Sequence, residues 1–194
     1  MFWMGLIMIK DMLIDENMSE DEKEIIRFGT ERIITMIIGV IVVLVSSVFL
    51  HETLRAILFI VCILPLRQYA GGFHFNNKYI CTIVSVTLLL ISLIVMKQMY
   101  MSSYVAVGIY MLFSMIIVFL APVGNANREL SVNETVVFGN RAKTIWLIET
   151  TVFIVLWTAG SYQWYIIMLL SVVITGVLVL LGYVQETIMK QDVR

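Results

Sequence analysis

Apolar residues fall into long blocks along this chain, separated by short polar stretches, and the blocks have the length of membrane spans. Six runs stand out, at residues 33–50, 53–66, 80–96, 104–120, 144–159 and 164–183. The second is short. Fourteen helical residues reach about 21 Å, against a hydrocarbon core of about 30 Å, so this run must thin the bilayer or stop partway and re-enter. Pro65 and the Gly71-Gly72 pair break it. Upstream, Ser19 and Glu22 have capping-box spacing, which predicts a helix that runs through Arg27 and Arg32 into the first span. Residues 2–14 read as an in-plane amphipathic helix. Residues 122–143 form the largest polar loop, and Tyr162, Trp164 and Tyr165 suit a headgroup-level aromatic belt. The pattern predicts an all-α polytopic membrane protein of about six helices. It forms one domain, with an N-terminal region (1–32), a bundle (33–183) and a short tail (184–194).

Composition narrows the function classes. At 60% hydrophobic, 14% charged and a mean hydropathy of +0.95, the chain is not a soluble globular protein. A net charge of −1 with no basic patch argues against nucleic acid. Two cysteines, Cys62 and Cys81, make no disulfide framework. Two histidines and the lack of His-Glu-x-x-His, Cys-x-x-Cys or a phosphate-binding glycine loop predict neither metal nor cofactor. The first residues are apolar but lack a small-residue cleavage site, so they do not read as a secretory signal. Cation placement sets an orientation. With six crossings and the N-terminus inside, only Arg55 and Lys97 fall outside, and the other eleven lysines and arginines fall inside. That arrangement puts both termini and the polar segments 67–78 and 122–143 on the cytoplasmic face.

Candidate chemistry concentrates between Arg67 and Cys81. A histidine, His74, and a thiol, Cys81, lie close together beside a Gly-Gly pair, the parts of a cysteine protease. The competing reading makes His74 part of a polar loop and Cys81 a small packing residue. Seven residues are two helical turns, so on one unbroken helix the two side chains would sit about 10 Å apart. The pair is productive only if the helix breaks between them. Asn76-Asn77 supplies a break, and Asn77 or a neighbour would cap a helix starting near Lys78. Cys81 would then occupy the first turn, where the helix N-terminus and a nearby imidazolium both favour a thiolate. Backbone N–H groups at Gly71-Gly72 are candidate oxyanion donors. Cys62 reads as a packing residue, and His51-Glu52 as an interfacial polar pair. Glu149 is an intramembrane acid near the start of the fifth span, able to reach the interface.

These residues also carry a family resemblance. Arg67, Tyr69-Ala-Gly-Gly72, His74 and Cys81 resemble the signature of the accessory gene regulator B (AgrB) family of membrane peptidases. A second segment, Ala121-Pro-Val-Gly-Asn-Ala-Asn127-Arg-Glu-Leu130, is similar to that family's Ala-Pro loop, with Glu129 where the pattern has proline. A weaker match is Ser19 to Gly29, and the resemblance runs from about residue 12 to the last span. It implies a cysteine endopeptidase that processes an AgrD-like precursor into a cyclic quorum-sensing peptide. Cys81 would be the nucleophile and His74 its base. Arg67 would hold an acidic part of the substrate or pin the loop, with Pro122, Asn127 and Arg128 in a secondary loop. A peptide thioester on Cys81 would pass to a thiol within the peptide, closing a thiolactone. The implied partners are the precursor and the bilayer of a bacterial cell membrane, and a homodimer is compatible with the bundle. Rival readings are a small transporter or exporter of a signalling peptide and a non-catalytic membrane scaffold. Little mid-membrane charge and no paired broken helices weigh against transport. The intact His74 and Cys81 weigh against a scaffold.

Overall fold

A computed structural model of the chain describes residues 20–73, 75, 77–98, 100–124 and 131–192; side chains are described from Ile33 onward, except at 34, 35, 78 and 190–192. The described residues form six α-helices: α1 (Glu20–Leu50), α2 (Thr53–Ala70), α3 (Lys78–Gln98), α4 (Ser103–Leu120), α5 (Val132–Thr158) and α6 (Tyr162–Asp192). The in-plane helix expected at 2–14 and the Ser19/Glu22 capping pair lie outside the described residues. The backbone of α1 is continuous through Arg27 and Arg32, as the pattern predicts.

Four of these helices (α2, α3, α4 and α6) are long and apolar enough to cross a membrane, and α1 carries a shorter apolar stretch at Met36–Leu50. The protein is therefore an all-helical polytopic membrane protein. Two boundaries differ from the sequence expectation. Helix α2 does not stop at residue 66. It carries Pro65 in its interior and runs 18 residues to Ala70, about 27 Å, which nearly spans the hydrocarbon. Its end comes at Gly71, whose φ of 71° only glycine adopts without strain and whose N–H donates to the Arg67 carbonyl at 3.2 Å. Helix α5 begins at Val132, not 144, so most of the segment expected as a polar loop is helical. A capping box starts it: Ser131 Oγ accepts from the Glu134 N–H at 3.3 Å, and a Glu134 carboxylate oxygen accepts from the Ser131 N–H at 3.0 Å.

Helix α6 is the centre of the bundle. In its apolar stretch 61% is buried within the protein, against 17% for α3, whose remaining surface is left for lipid. It packs on α2, α4 and α5, while α1 packs on α2 and α3. Tyr110 of α4 stacks on Phe153 of α5 with centroids 3.9 Å apart, and Tyr165 of α6 meets Phe153 edge-on. These rings join Phe59, Ile63 and Leu66 of α2 in the main core. Bundle interiors in lipid gain little from hydrophobic transfer, so close packing and interhelical hydrogen bonds carry the association. Two such bonds are Tyr110 Oη with Thr150 Oγ1 at 3.0 Å and Trp146 Nε1 donating to Ser114 Oγ at 3.0 Å. A smaller cluster of Ala70, Val123, Ala142 and Val179 lies at the other end of the bundle, under the loops that follow α2 and α4.

Candidate active site

The loop after α2 is fixed from three sides. Arg67 reaches forward from the last turn of α2, its guanidinium donating to the Gly71 carbonyl and, at 2.8 Å, to the Phe73 carbonyl. A planar fork suits this task, since it serves two acceptors at once. The Phe73 N–H donates to the Leu178 carbonyl of α6 at 2.7 Å. Gly71 pairs with Val123 in a short parallel bridge, and the Val123 N–H donates to the Ala70 carbonyl at 3.1 Å. The sequence's two polar motifs therefore meet: the Ala121-Pro122-Val123 segment lies directly against Ala70-Gly71. Pro122 in turn abuts α5 at Gly139, where an added Cβ would come within 3.1 Å of its ring.

Glycine is required at this junction. A Cβ on Gly71 would collide with the Val123 carbonyl, and one on Gly72 (φ 113°) would lie 2.5 Å from the Leu178 carbonyl oxygen. The matching face of α6 is also a glycine. A Cβ on Gly182 would sit 2.5 Å from both Gly72 C and Phe73 N. Sequence reasoning missed Gly182 and Leu178. The available signal was a glycine inside an apolar helix, a costly residue there unless backbone must approach closely. Tyr69, on the other side of the loop, takes a hydrogen bond from Arg141 of α5 at 3.3 Å. The guanidinium also lies 5.3 Å from the ring centroid, and Phe138 packs edge-on.

Beyond the loop, Asn77 caps α3. Its Oδ1 accepts from the Tyr79 N–H at 2.9 Å and the Ile80 N–H at 3.4 Å, and its carbonyl accepts from the Cys81 N–H at 3.0 Å. Cys81 is half-buried in the first helical turn. Helix α2 ends at Ala70 and α3 begins at Lys78, with Asn77 outside it, so Cys81 does not lie on a helix running unbroken from the loop. His74 itself, with Asn76, Asn127 and Arg128, lies outside the described residues. Phe73, just before His74, is held by Arg67 and α6, and Asn77, three residues after it, by its capping role. Phe73 and Phe75 pack edge to face at 4.9 Å.

The remaining candidates separate clearly. Gly71 uses its N–H to close α2, so it supports the loop and its donor is committed. Arg67 pins the loop. Cys62 is half-buried against the core, more than two helical turns from the end of α2. Glu52 pairs with Arg55 at 3.2 Å, an interfacial pair worth at most about 1 kcal/mol. Glu149 is corrected by the structure. Because α5 starts twelve residues earlier than expected, Glu149 lies deep in the bundle and is 5% exposed, not near an interface. Among the described residues no cluster of metal-ligating side chains occurs.

Comparison with known proteins agrees with the motifs. A family model described as accessory gene regulator B matches residues 7–181. The chain belongs to the AgrB family. It is similar to a protein named as AgrB-like protein 2 of Clostridium perfringens (strain 13 / Type A), with 31% identity over 59% of this chain and 56% of the relative. It is also similar to an AgrB-like protein of Clostridium perfringens (strain SM101 / Type A), with 28% identity over the same shares. The matched region spans a little over half the length of these curated relatives. No solved structure matches the chain.

Proposed function

We propose that this protein is a membrane-embedded cysteine endopeptidase that processes an AgrD-like precursor into a cyclic signalling peptide. The observation that carries the reading is Cys81 in the capped first turn of α3, directly after a loop clamped by Arg67 and α6, in a chain of the AgrB family. In this reading His74 accepts the Cys81 thiol proton, and the thiolate attacks a peptide carbonyl of the precursor. The tetrahedral intermediate collapses as the C–N bond breaks, and the imidazolium returns its proton to the leaving amine. The N-terminal part of the peptide remains on Cys81 as a thioester. A thiol within the peptide then attacks that carbonyl, closes a thiolactone and releases the Cys81 thiol. Making a thioester from an amide is uphill, whereas thioester exchange is close to isoenergetic, so once the Cys81 thioester has formed ring closure meets no further thermodynamic barrier. A half-buried nucleophile helps keep water from the thioester until the ring closes.

The active loop would face the cytoplasm, where a ribosomally made precursor is met. The test is adduct formation in proteoliposomes with a cognate precursor. Wild type should form a peptide–enzyme adduct that hydroxylamine releases, Cys81→Ala should form none, His74→Ala should lose most of the rate, and Cys62→Ala should match wild type. Cleavage by Cys81→Ala but not by Cys62→Ala would move the nucleophile into α2. Transport of the peptide without cleavage or adduct would favour the exporter reading.

A further inference from the structure

Halfway along the bundle, polar atoms are buried with no hydrogen-bond partner among the described residues: both carboxyl oxygens of Glu149, Ser171 Oγ and Thr175 Oγ1. Glu149 lies nine residues from the end of α5 and Ser171 nine from the start of α6, so each is about 14 Å inside its helix, near the middle of a hydrocarbon core. Ser171 and Thr175 are fully buried and one turn apart on the same face of α6. Ser171 Oγ adjoins the carboxyl without completing a bond of normal geometry.

Among the described residues no cation lies against this acid. The titratable groups facing it are the Cys62 thiol of α2 and the Tyr110 hydroxyl of α4, and neither is a cation. On α2, Arg55 is engaged by Glu52 and Arg67 by the loop carbonyls. On α5, Arg141 lies on Tyr69 and Lys143 is exposed. Helix α4 has no charged residue, and α6 has none before Glu186. A bare carboxylate in such surroundings is strongly disfavoured, and buried polar atoms ordinarily bond to a partner, a water or an ion. Its ligand atoms would all be oxygens, which suits a hard cation.

We propose that Glu149, Ser171 and Thr175 form a buried site for one small monovalent cation, either a proton on the carboxyl or a sodium ion held between carboxylate and hydroxyls. The site is distinct from the Cys81 region and does not depend on the peptidase reading. Its location bears on that region all the same. Ser171, Thr175, Leu178 and Gly182 follow one another at steps of four, three and four, a single stripe of α6 that reaches the clamped loop about 16 Å away.

The experiment uses the full chain, purified in detergent, and dicyclohexylcarbodiimide, an apolar reagent that modifies protonated carboxyls. Labelling is mapped by mass spectrometry across a pH series in sodium chloride and in choline chloride. An adduct at Glu149 that fades toward alkaline pH without sodium dependence identifies the proton, and one that sodium suppresses and choline does not identifies sodium. Glu149→Gln should lose the adduct. The double variant Ser171→Ala, Thr175→Val should keep it but shift its pH or sodium dependence. The proposal is overturned by no adduct at any pH in protein that still melts cooperatively. It is equally overturned by labelling indifferent to both pH and sodium, or by a double variant that titrates as wild type does.

Discussion

Gly182 contributes no side chain, and that absence is what lets the loop before His74 rest on α6. Substituting valine places new atoms against the Gly72–Phe73 backbone, which cannot rotate away as a side chain could. Overpacking of this kind costs about 1–3 kcal/mol, a tolerable loss of stability. The larger effect should be on rate, because moving a catalytic group by about 1 Å can cost on the order of 100-fold. Gly182→Val is therefore expected to insert and melt close to wild type while precursor processing falls by about that factor. Gly176→Ala is the control for close packing away from the loop, since an added Cβ there would meet only Phe113 of α4, its ring at 2.9 Å and its backbone carbonyl oxygen at 3.2 Å, so it should cost stability without the selective loss of processing. Arg67 makes the same point from the other side. Arg67→Lys keeps the charge but cannot serve the Gly71 and Phe73 carbonyls together, so it should behave more like Arg67→Ala than like wild type in a processing assay. Full activity in Arg67→Lys would mean that the charge matters and the fork does not.

Helix α5 depends on its first turn more than its apolar content suggests. Ser131 and Glu134 satisfy each other's backbone donors, and the turns that follow bring Gly139 to Pro122 and Arg141 to Tyr69. Ser131→Ala should cost about 1 kcal/mol and accelerate hydrogen exchange over the first turns of α5, with the membrane-buried half unchanged. Uniform exchange along the helix would show that tertiary contacts alone hold its start. The same helix shows where sequence reading stopped. Apolar runs of membrane length announce a span because the bilayer leaves few alternatives, so the helices were legible from 33 onward. Their ends were not. Residues 132–143 are too polar to register as part of a span, although the Ser131-x-x-Glu134 box was there to be read. Pro65 reads as a stop in the sequence, yet one proline removes only a single helical donor and the flanking turns hold. At the site, the Asn77 cap followed from local chemistry. The Leu178–Gly182 seat is a contact between segments a hundred residues apart, which no local pattern encodes.

One end of the bundle gathers everything distinctive in this chain. The end of α2, the segment after α4, the first turns of α5 and the later part of α6 converge around the Gly71–Val123 bridge, and the chain runs from there into α3. The opposite end carries the α1–α2 turn, where Lys97 donates to the Leu50 carbonyl at 3.0 Å, and the α5–α6 turn at Gly160. Counting cations predicts that the first end faces the cytoplasm, which is where the proposed precursor would be met. Sidedness can be read from single cysteines placed in a Cys62→Ala, Cys81→Ser background. Val132 and Tyr100 are suitable sites, being 82% and 84% exposed and at opposite ends. Treated with a membrane-impermeant maleimide, Tyr100→Cys should be modified in intact cells and Val132→Cys only after permeabilisation. The reverse pattern would turn the protein over in the membrane. Cys81 would then face outward, and a substrate still inside the cell could not reach it without first being carried across.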